Sequence, residues 1–311
     1  MTAQASAGRA ALLERAAQRL CPLCGGERWT RWRRRPLLRC VDCDLVVDPG
    51  LWKGLAHADQ LTADYFTEGF IGRIDPWQRA FELANNRRTW RRLAPRVAPR
   101  ASWLEIGVGS GSLMAYAASR GMRVSGCDAS RAVCEYVRRR YGLPVTHGHV
   151  ADLAAADRYD VVILNHVLEH VPDPVGMLRE IRARLSPGGC LHVAVPNVGS
   201  WDARLPGWIS YAPYHLVYFT HASLAQALAH AGFTAAPVGT FEPFSGWTLA
   251  VLGTLRGRAT GSAGRPTQLT GAARHLCRLG MTAAGALLTP VRAVQARAGF
   301  GEELFVIARA V

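Results

Sequence analysis

From residue 101 onward, short apolar runs alternate with amphipathic stretches. ASWLEIGVGSGSLMAYAASRG (101–121) predicts a strand, a glycine turn and a helix. MRVSGCD (122–128) predicts a second strand, ASRAVCEYVRRRYG (129–142) a second helix, and LPVTHGHVADL (143–153) a third strand and loop. YDVVILN (159–165) is an almost wholly apolar fourth strand, bounded by Asp160 and Asn165. DPVGMLREIRARLSPGG (173–189) reads as an amphipathic helix that ends on Pro-Gly-Gly, and CLHVAVPN (190–197) as a fifth strand. Thr220 is placed to cap a helix starting near His221, which Gly232 should end. EELFVIARAV (302–311) predicts a last strand. Strands alternating with helices imply an α/β, doubly wound, largely parallel sheet with ligands beyond the carboxyl ends of its strands.

The flanks follow other patterns. Residues 1–18 form a tail or helix, 19–50 a small cysteine-bearing module, and 51–100 a helical linker and lid in which Tyr65 could close on a ligand. The core is placed at 101–245, a helical insert at 246–300 and the final core strand at 301–311. Within the insert, RHLCRLGMTAAGALLTPVRAVQARAG (274–299) is apolar with regularly spaced arginines. A lid packed on the core is the preferred reading; the same pattern over 274–297 could rest peripherally on a membrane.

A length of 311 residues suits one large core plus a small module. No run of 18 apolar residues appears, and the N-terminus lacks the apolar stretch of a secretory signal, so a cytoplasmic location is expected. The net charge of +14 is carried by arginine, with Lys53 the one lysine among 37 lysines and arginines. Basic runs stand at 28–35 (RWTRWRRR), 87–92 (RRTWRR) and 138–140. Such runs serve either a solvated surface or an anionic partner. The sequence carries no signal for an oligomeric state.

Cys21, Cys24, Cys40 and Cys43 form C-x2-C-x15-C-x2-C. Each short turn can aim two thiolates at one point, and two such turns complete a tetrahedral four-sulfur site suited to structural zinc. A metal-free ribbon is the alternative, and disulfides fit a cytosolic chain less well. Four protein ligands leave no vacant position, which argues against a catalytic role for this metal.

The glycine turn reads Glu105-Ile-Gly107-Val-Gly109-Ser-Gly111. A dinucleotide fingerprint would place its third glycine at 112, where Ser112 stands, and Glu105 would repel a diphosphate. A cationic cofactor would welcome that carboxylate. Here the chain resembles class I S-adenosylmethionine (SAM)-dependent methyltransferases, whose first motif is [D/E]-x-G-x-G-x-G. The resemblance spans roughly residues 20–245 and the final strand. It implies a Rossmann-like seven-stranded sheet, a SAM cofactor, support of the methionyl end by Glu105, and close backbone approach at Gly107, Gly109 and Gly111. It also implies that Asp128 holds the ribose hydroxyls, that Asp152 and Leu153 lie beside the adenine, and that Asn165 lines the cofactor.

His166-Val-Leu-Glu169-His170 has the H-x-x-E-H form of a zinc protease motif. That motif needs a sustained helix, whereas here a buried strand precedes it and Pro172 and Pro174 follow. The stretch resembles instead the loop after strand four of the same methyltransferases, ubiquinone-type enzymes among them. A divalent ion on His166, Glu169 and His170 is a further option. His215-Leu-Val-Tyr218-Phe219-Thr220 resembles a segment of sugar and small-molecule methyltransferases in which the histidine faces the acceptor. His215 is therefore the first candidate general base and His166 the second.

The expected reaction is O- or C-methylation of a small-molecule, sugar or lipid-linked glycan acceptor. An RNA acceptor held by the basic ribbon is the alternative. Against it, the chain has no N/D-P-P-Y/F or catalytic-cysteine motif, and Pro196-Asn197 stands in the reversed order.

Overall fold

The computed structural model describes residues 18–33, 35–52, 76–211, 215–255 and 271–310. Tyr65, most of the tail and the first part of the expected lid lie outside the described residues.

The core follows the hydrophobic pattern. Strands β1 (Trp29–Arg31), β2 (Leu38–Cys40) and β3 (Val46–Val47) precede helix α1 (Pro76–Leu93). Then come β4 (Ser102–Ile106), α2 (Ser112–Ser119), β5 (Arg123–Asp128), α3 (Arg131–Tyr141), β6 (Val145–His147), β7 (Tyr159–Asn165), α4 (Pro174–Arg182) and β8 (Leu185–Pro196). Next are β9 (Val217–Tyr218), α5 (His221–His230), β10 (Phe233–Ala235) and β11 (Gly239–Phe241). Three helices, α6 (Gly246–Leu255), α7 (Gly271–Leu287) and α8 (Thr289–Arg297), lead into β12 (Glu303–Ala310).

The main sheet runs β10-β12-β8-β7-β4-β5-β6, with β11 also paired to β12. Strands β4 to β8 are parallel, and β12 enters antiparallel beside β8. Seven strands in one path match the seven-stranded sheet that the resemblance implies, with one short strand added. Apolar β7 and β8 sit at its centre because helices cover both of their faces. The helix ends are chemically specified. Ser130 caps α3 through Val133 N–H, and Asp173 caps α4 through Gly176 N–H behind Pro174. Thr220 and Ser223 form a reciprocal cap on α5, and Gly232 follows it at φ +81°.

One expectation needs correction. Ser186-Pro187-Gly188-Gly189 does not end a helix: α4 stops at Arg182, and β8 already begins at Leu185. A shift of register against β7 between Tyr159 and Val161 absorbs these residues. The cysteine module is joined to the core by strand pairing. Its strand β3 pairs with β9, register Val46↔Tyr218, so the small sheet β1-β2-β3-β9 joins three ribbon strands to one from the core. Asp48 N–H donates to the Leu216 carbonyl (3.0 Å), and the Arg35 guanidinium lies over the Tyr211 ring.

The C-terminal helices form a layer held by α8. Gln295, fully buried, donates to Glu242 and to the Phe300 carbonyl, and accepts from Trp247. The outer side leaves Leu279, Leu287, Val291 and Val294 exposed. No described helix is long and apolar enough to cross a membrane.

Because β3 and β9 share one sheet, ribbon and core should melt together. Val46→Ala, at a wholly buried junction position, should cost about 1–3 kcal/mol. In urea unfolding followed by far-ultraviolet circular dichroism and by tryptophan emission, both probes should shift equally. A core transition unmoved by the substitution would show two independent units.

Candidate functional site

The carboxyl ends of β4, β5, β7 and β8 open on one side of the sheet, and the motif residues gather there. Glu105 is the fourth residue of β4 and only 5% exposed. Its Oε2 has no hydrogen-bond partner. Burial, and then the charge of Asp128, push its pKa up to about 8. Asp128 closes the adjacent strand; its Oδ1 accepts from Ser130 N–H (2.8 Å) and its Oδ2 from Gly109 N–H (3.4 Å). Two desolvated carboxylates thus face a common space, an arrangement that a cationic ligand would relieve.

The three glycines do different work. All have positive φ, between +49° and +70°. A Cβ on Gly107 would come within 2.5 Å of Val167, and one on Gly111 within 2.7 Å of Val137. These two let the turn pack on its neighbours. Of the three, only Gly109 has nothing within 4 Å of an added Cβ, so it alone fronts open space. Helix α1 leans on the turn through Asn86 Nδ2, which donates to Ser112 Oγ (3.1 Å). A cavity of about 320 Å³ lies behind it, lined by Glu82, Asn86, Ser112, Tyr116 and Tyr141.

Asp152 and Leu153, expected beside the adenine, both have partners within the fold. Asp152 Oδ2 accepts from His149 N–H (2.8 Å) in a cap on the turn Val150–Asp152, and the Leu153 side chain belongs to the main apolar core. Their side chains hold the loop in shape. Asn165, at the end of β7, keeps a buried Oδ1 without a partner, an acceptor directed into the site.

After β7 the H-x-x-E-H stretch makes one 3-10 turn, Leu168–His170, and no zincin helix. His166 sits at φ +55°, a strained setting for a residue with a Cβ. Its ring lies 3.4 Å from Glu169 and 3.5 Å from Glu303. Desolvation works against a charged His166, but half of its side chain is open, and the two carboxylates prevail, raising its pKa above the ordinary histidine range. Glu169 is 1% exposed; burial would raise its carboxyl, but His166, His170 and His215 overcome that and hold it at about 2.

His215 is buried beside them. Its Nδ1 pairs with the Ser210 carbonyl (2.7 Å), which requires Nδ1 to carry the proton and leaves Nε2 as the basic nitrogen. Its ring meets His170 edge-on at 4.8 Å and Tyr218 at 5.9 Å. Burial, assisted by the His170 charge, lowers its pKa to about 4, so it is neutral at neutral pH. The trio that could hold a metal is therefore Glu169, His170 and His215, whose ligand atoms lie within 4.8 Å of one another. His166 is not in it; its ring lies between Glu169 and Glu303. Sequence reasoning missed Glu303, which lies far along the chain from His166, and Ser210, which acts through its backbone carbonyl and so leaves no side-chain signal.

In the ribbon, the sulfurs of Cys21, Cys24, Cys40 and Cys43 all lie within 4.8 Å of one another. Cys21–Cys43 and Cys24–Cys40 are 3.5 and 3.6 Å apart. Sulfurs around a tetrahedral zinc stand about 3.8 Å apart, so the four residues fit that ion.

A family model described as a methyltransferase domain matches residues 78–238. A ubiquinone biosynthesis O-methyltransferase of Aeromonas salmonicida is 34% identical over 103 residues, 30% of this chain and 42% of that protein. The namesake from Vibrio parahaemolyticus is 37% identical over 101 residues, 30% of this chain and 43% of its own length. The chain thus spans less than half the length of these curated relatives. Among solved structures, the magnesium protoporphyrin IX methyltransferase of Synechocystis PCC 6803, with bound S-adenosylhomocysteine, superposes with a TM-score of 0.50 at 16% identity. That superposition covers 82% of this chain and all of that one, and it bears on the fold alone.

The division of labour among the glycines has a stability signature. Gly109→Ala should cost about 1–2 kcal/mol, the strain of a left-handed backbone alone. Gly107→Ala should cost about 1–3 kcal/mol more through collision with Val167, and adding Val167→Ala should restore much of that difference. Equal losses in the two single variants, measured by urea denaturation, would contradict it.

Proposed function

The chain belongs to the class I SAM-dependent methyltransferases, and we propose that it methylates an oxygen or carbon of a small-molecule, sugar or lipid-linked acceptor with His215 as general base. The observation that carries this reading is the buried, neutral His215, its tautomer set by the Ser210 carbonyl, packed against His170 of the turn that follows β7. The relatives that carry an O-methyltransferase name support an oxygen acceptor, and the exposed apolar side of α7 and α8 suits a lipid-linked one.

SAM supplies a methyl group already activated on a sulfonium. In this reading Glu105 holds the cationic amino-acid end, Asp128 accepts from the ribose hydroxyls, and the Gly109 backbone lies against the cofactor. Asn165 offers its Oδ1 at the floor of the site. His215 Nε2 would take the proton that the acceptor gives up on methylation. His166, held charged between Glu169 and Glu303, suits positioning better than proton abstraction. Cys21, Cys24, Cys40 and Cys43 would hold a structural zinc that fixes the ribbon against β9.

Four arginines of the first two basic runs have partners inside the fold, which weakens the reading of an RNA acceptor. Arg88 and Arg92 lie 3.2 Å over the rings of Phe241 and Phe305, Arg92 also pairs with Glu303, and Arg33 and Arg35 stack on Trp32 and Tyr211. These guanidiniums are occupied within the fold.

Glu105→Gln should weaken SAM binding by roughly tenfold to a hundredfold in calorimetry. A carboxyl raised to about 8 must lose its proton to pair with a cation, so wild-type affinity should increase as pH rises from about 6 to about 8. That dependence should vanish in the variant; a pH-independent wild type would oppose the role.

With fractionated small-molecule extracts and radiolabelled SAM, His215→Ala should keep cofactor affinity while turnover falls on the order of 10²–10⁴-fold. A base lowered to about 4 loses its lone pair only in acid, so the acid limb of kcat/KM should lie well below the ordinary histidine range. Unchanged turnover in the variant would remove His215 from this role.

A further inference from the structure

Away from the cofactor side, three carboxylates meet inside the protein. Asp202 lies in the turn after β8, Glu242 follows β11, and Glu302 precedes β12. They are 0%, 1% and 7% exposed, and their oxygens lie within 4.8 Å of one another. Nothing assigned to methyl transfer uses them.

The arrangement is only half satisfied. Glu242 Oε2 accepts from Gln295 Nε2 (2.8 Å) and from Glu302 N–H (2.9 Å), and Glu302 Oε1 accepts from Trp208 Nε1 (3.0 Å). Glu242 Oε1 has no partner. Nor does either oxygen of Asp202, a wholly buried side chain aimed at the other two. The loose ends converge on Gly246: a Cβ there would meet Glu242 Oε1 at 2.5 Å, Glu302 Oε2 at 2.6 Å and Asp202 Oδ2 at 3.6 Å. The nearby cation, Arg292, spends its Nε and Nη2 on the backbone carbonyls of Pro243 and Glu242.

Three buried carboxylates cannot all stay ionised uncompensated. Burial, and then mutual repulsion, raise Glu242 to about 9 and Glu302 to about 8. Either protons or a cation must neutralise them. Oxygens on opposite sides of a Ca²⁺ ion stand about 4.6–5.2 Å apart and adjacent ones closer, which is the span seen here. An all-oxygen, nitrogen-free and sulfur-free donor set selects a hard ion.

We infer that Asp202, Glu242 and Glu302 bind one hard divalent cation, of the Ca²⁺, Mg²⁺ or Mn²⁺ class, that clamps the C-terminal helical layer to the sheet. The ion would join the turn after β8, the β11–β12 connection, α6 at Gly246 and, through Gln295, α8. Glu302 also adjoins Glu303, which faces His166, so the clamp braces one wall of the active site.

The test is thermal unfolding of the full chain, dialysed free of divalent ions and titrated with Ca²⁺, Mg²⁺ or Mn²⁺. At least one ion should raise Tm by several degrees at saturation. The shift should disappear in Asp202→Asn and Glu242→Gln and survive in His170→Ala, which disables the other described carboxylate-containing cluster. No shift with any ion, or a shift retained in Glu242→Gln, overturns the proposal and leaves shared protons as the neutralising agent. Should the two acidic-site variants fail to fold, wild-type NMR decides. Mn²⁺ must broaden the Trp208 indole N–H resonance and Ca²⁺ must restore it; an unbroadened signal is equally fatal.

Discussion

Buried negative charge organises this molecule. Glu105, Asp128, Glu169, Glu303, Asp202, Glu242 and Glu302 occupy strand ends or the turns just beyond them, and most are almost fully desolvated. A carboxylate withdrawn from water is costly unless a cation or several donors face it. Each group therefore implies a partner. Glu303 finds Arg92 and His166, and Glu169 finds the histidines. Glu105 and the Asp202 cluster are left incompletely answered by protein atoms, which is why one suits a cationic cofactor and the other a metal ion.

The same logic explains the arginines. In a chain with one lysine, planar guanidiniums are the available cations, and they stack on aromatic rings as an ammonium does less readily. Arg88 and Arg92 on α1 thus join that helix to β11 and β12, and Arg35 joins the ribbon to the turn carrying Tyr211. A high formal charge here reflects internal bonding as much as surface potential. Function follows from the same contacts, because α1 covers the glycine turn and the ribbon strand β3 holds the β9 segment that begins two residues after His215.

The histidines divide according to their surroundings. His166, half open and flanked by two carboxylates, is held charged, whereas His215, buried and donating to a carbonyl, is neutral. Two identical side chains a short distance apart are thereby set to opposite charge states.

What the sequence by itself determined was local. Strand and helix periods, the caps at Ser130, Asp173 and Thr220, the glycine turn and the paired C-x2-C knuckles are each written within a few residues, so their chemistry was legible without the fold. Only tertiary structure decided that Ser186-Pro187-Gly188-Gly189 would be drawn into β8, that β3 would pair with β9, and that Gly109 alone would front open space. It also decided the meeting of His215 with Glu169, of His166 with Glu303, and of Asp202 with Glu242 and Glu302. Those pairs lie tens to more than a hundred residues apart, and burial, which sets their charges, does not exist until the chain has closed around them.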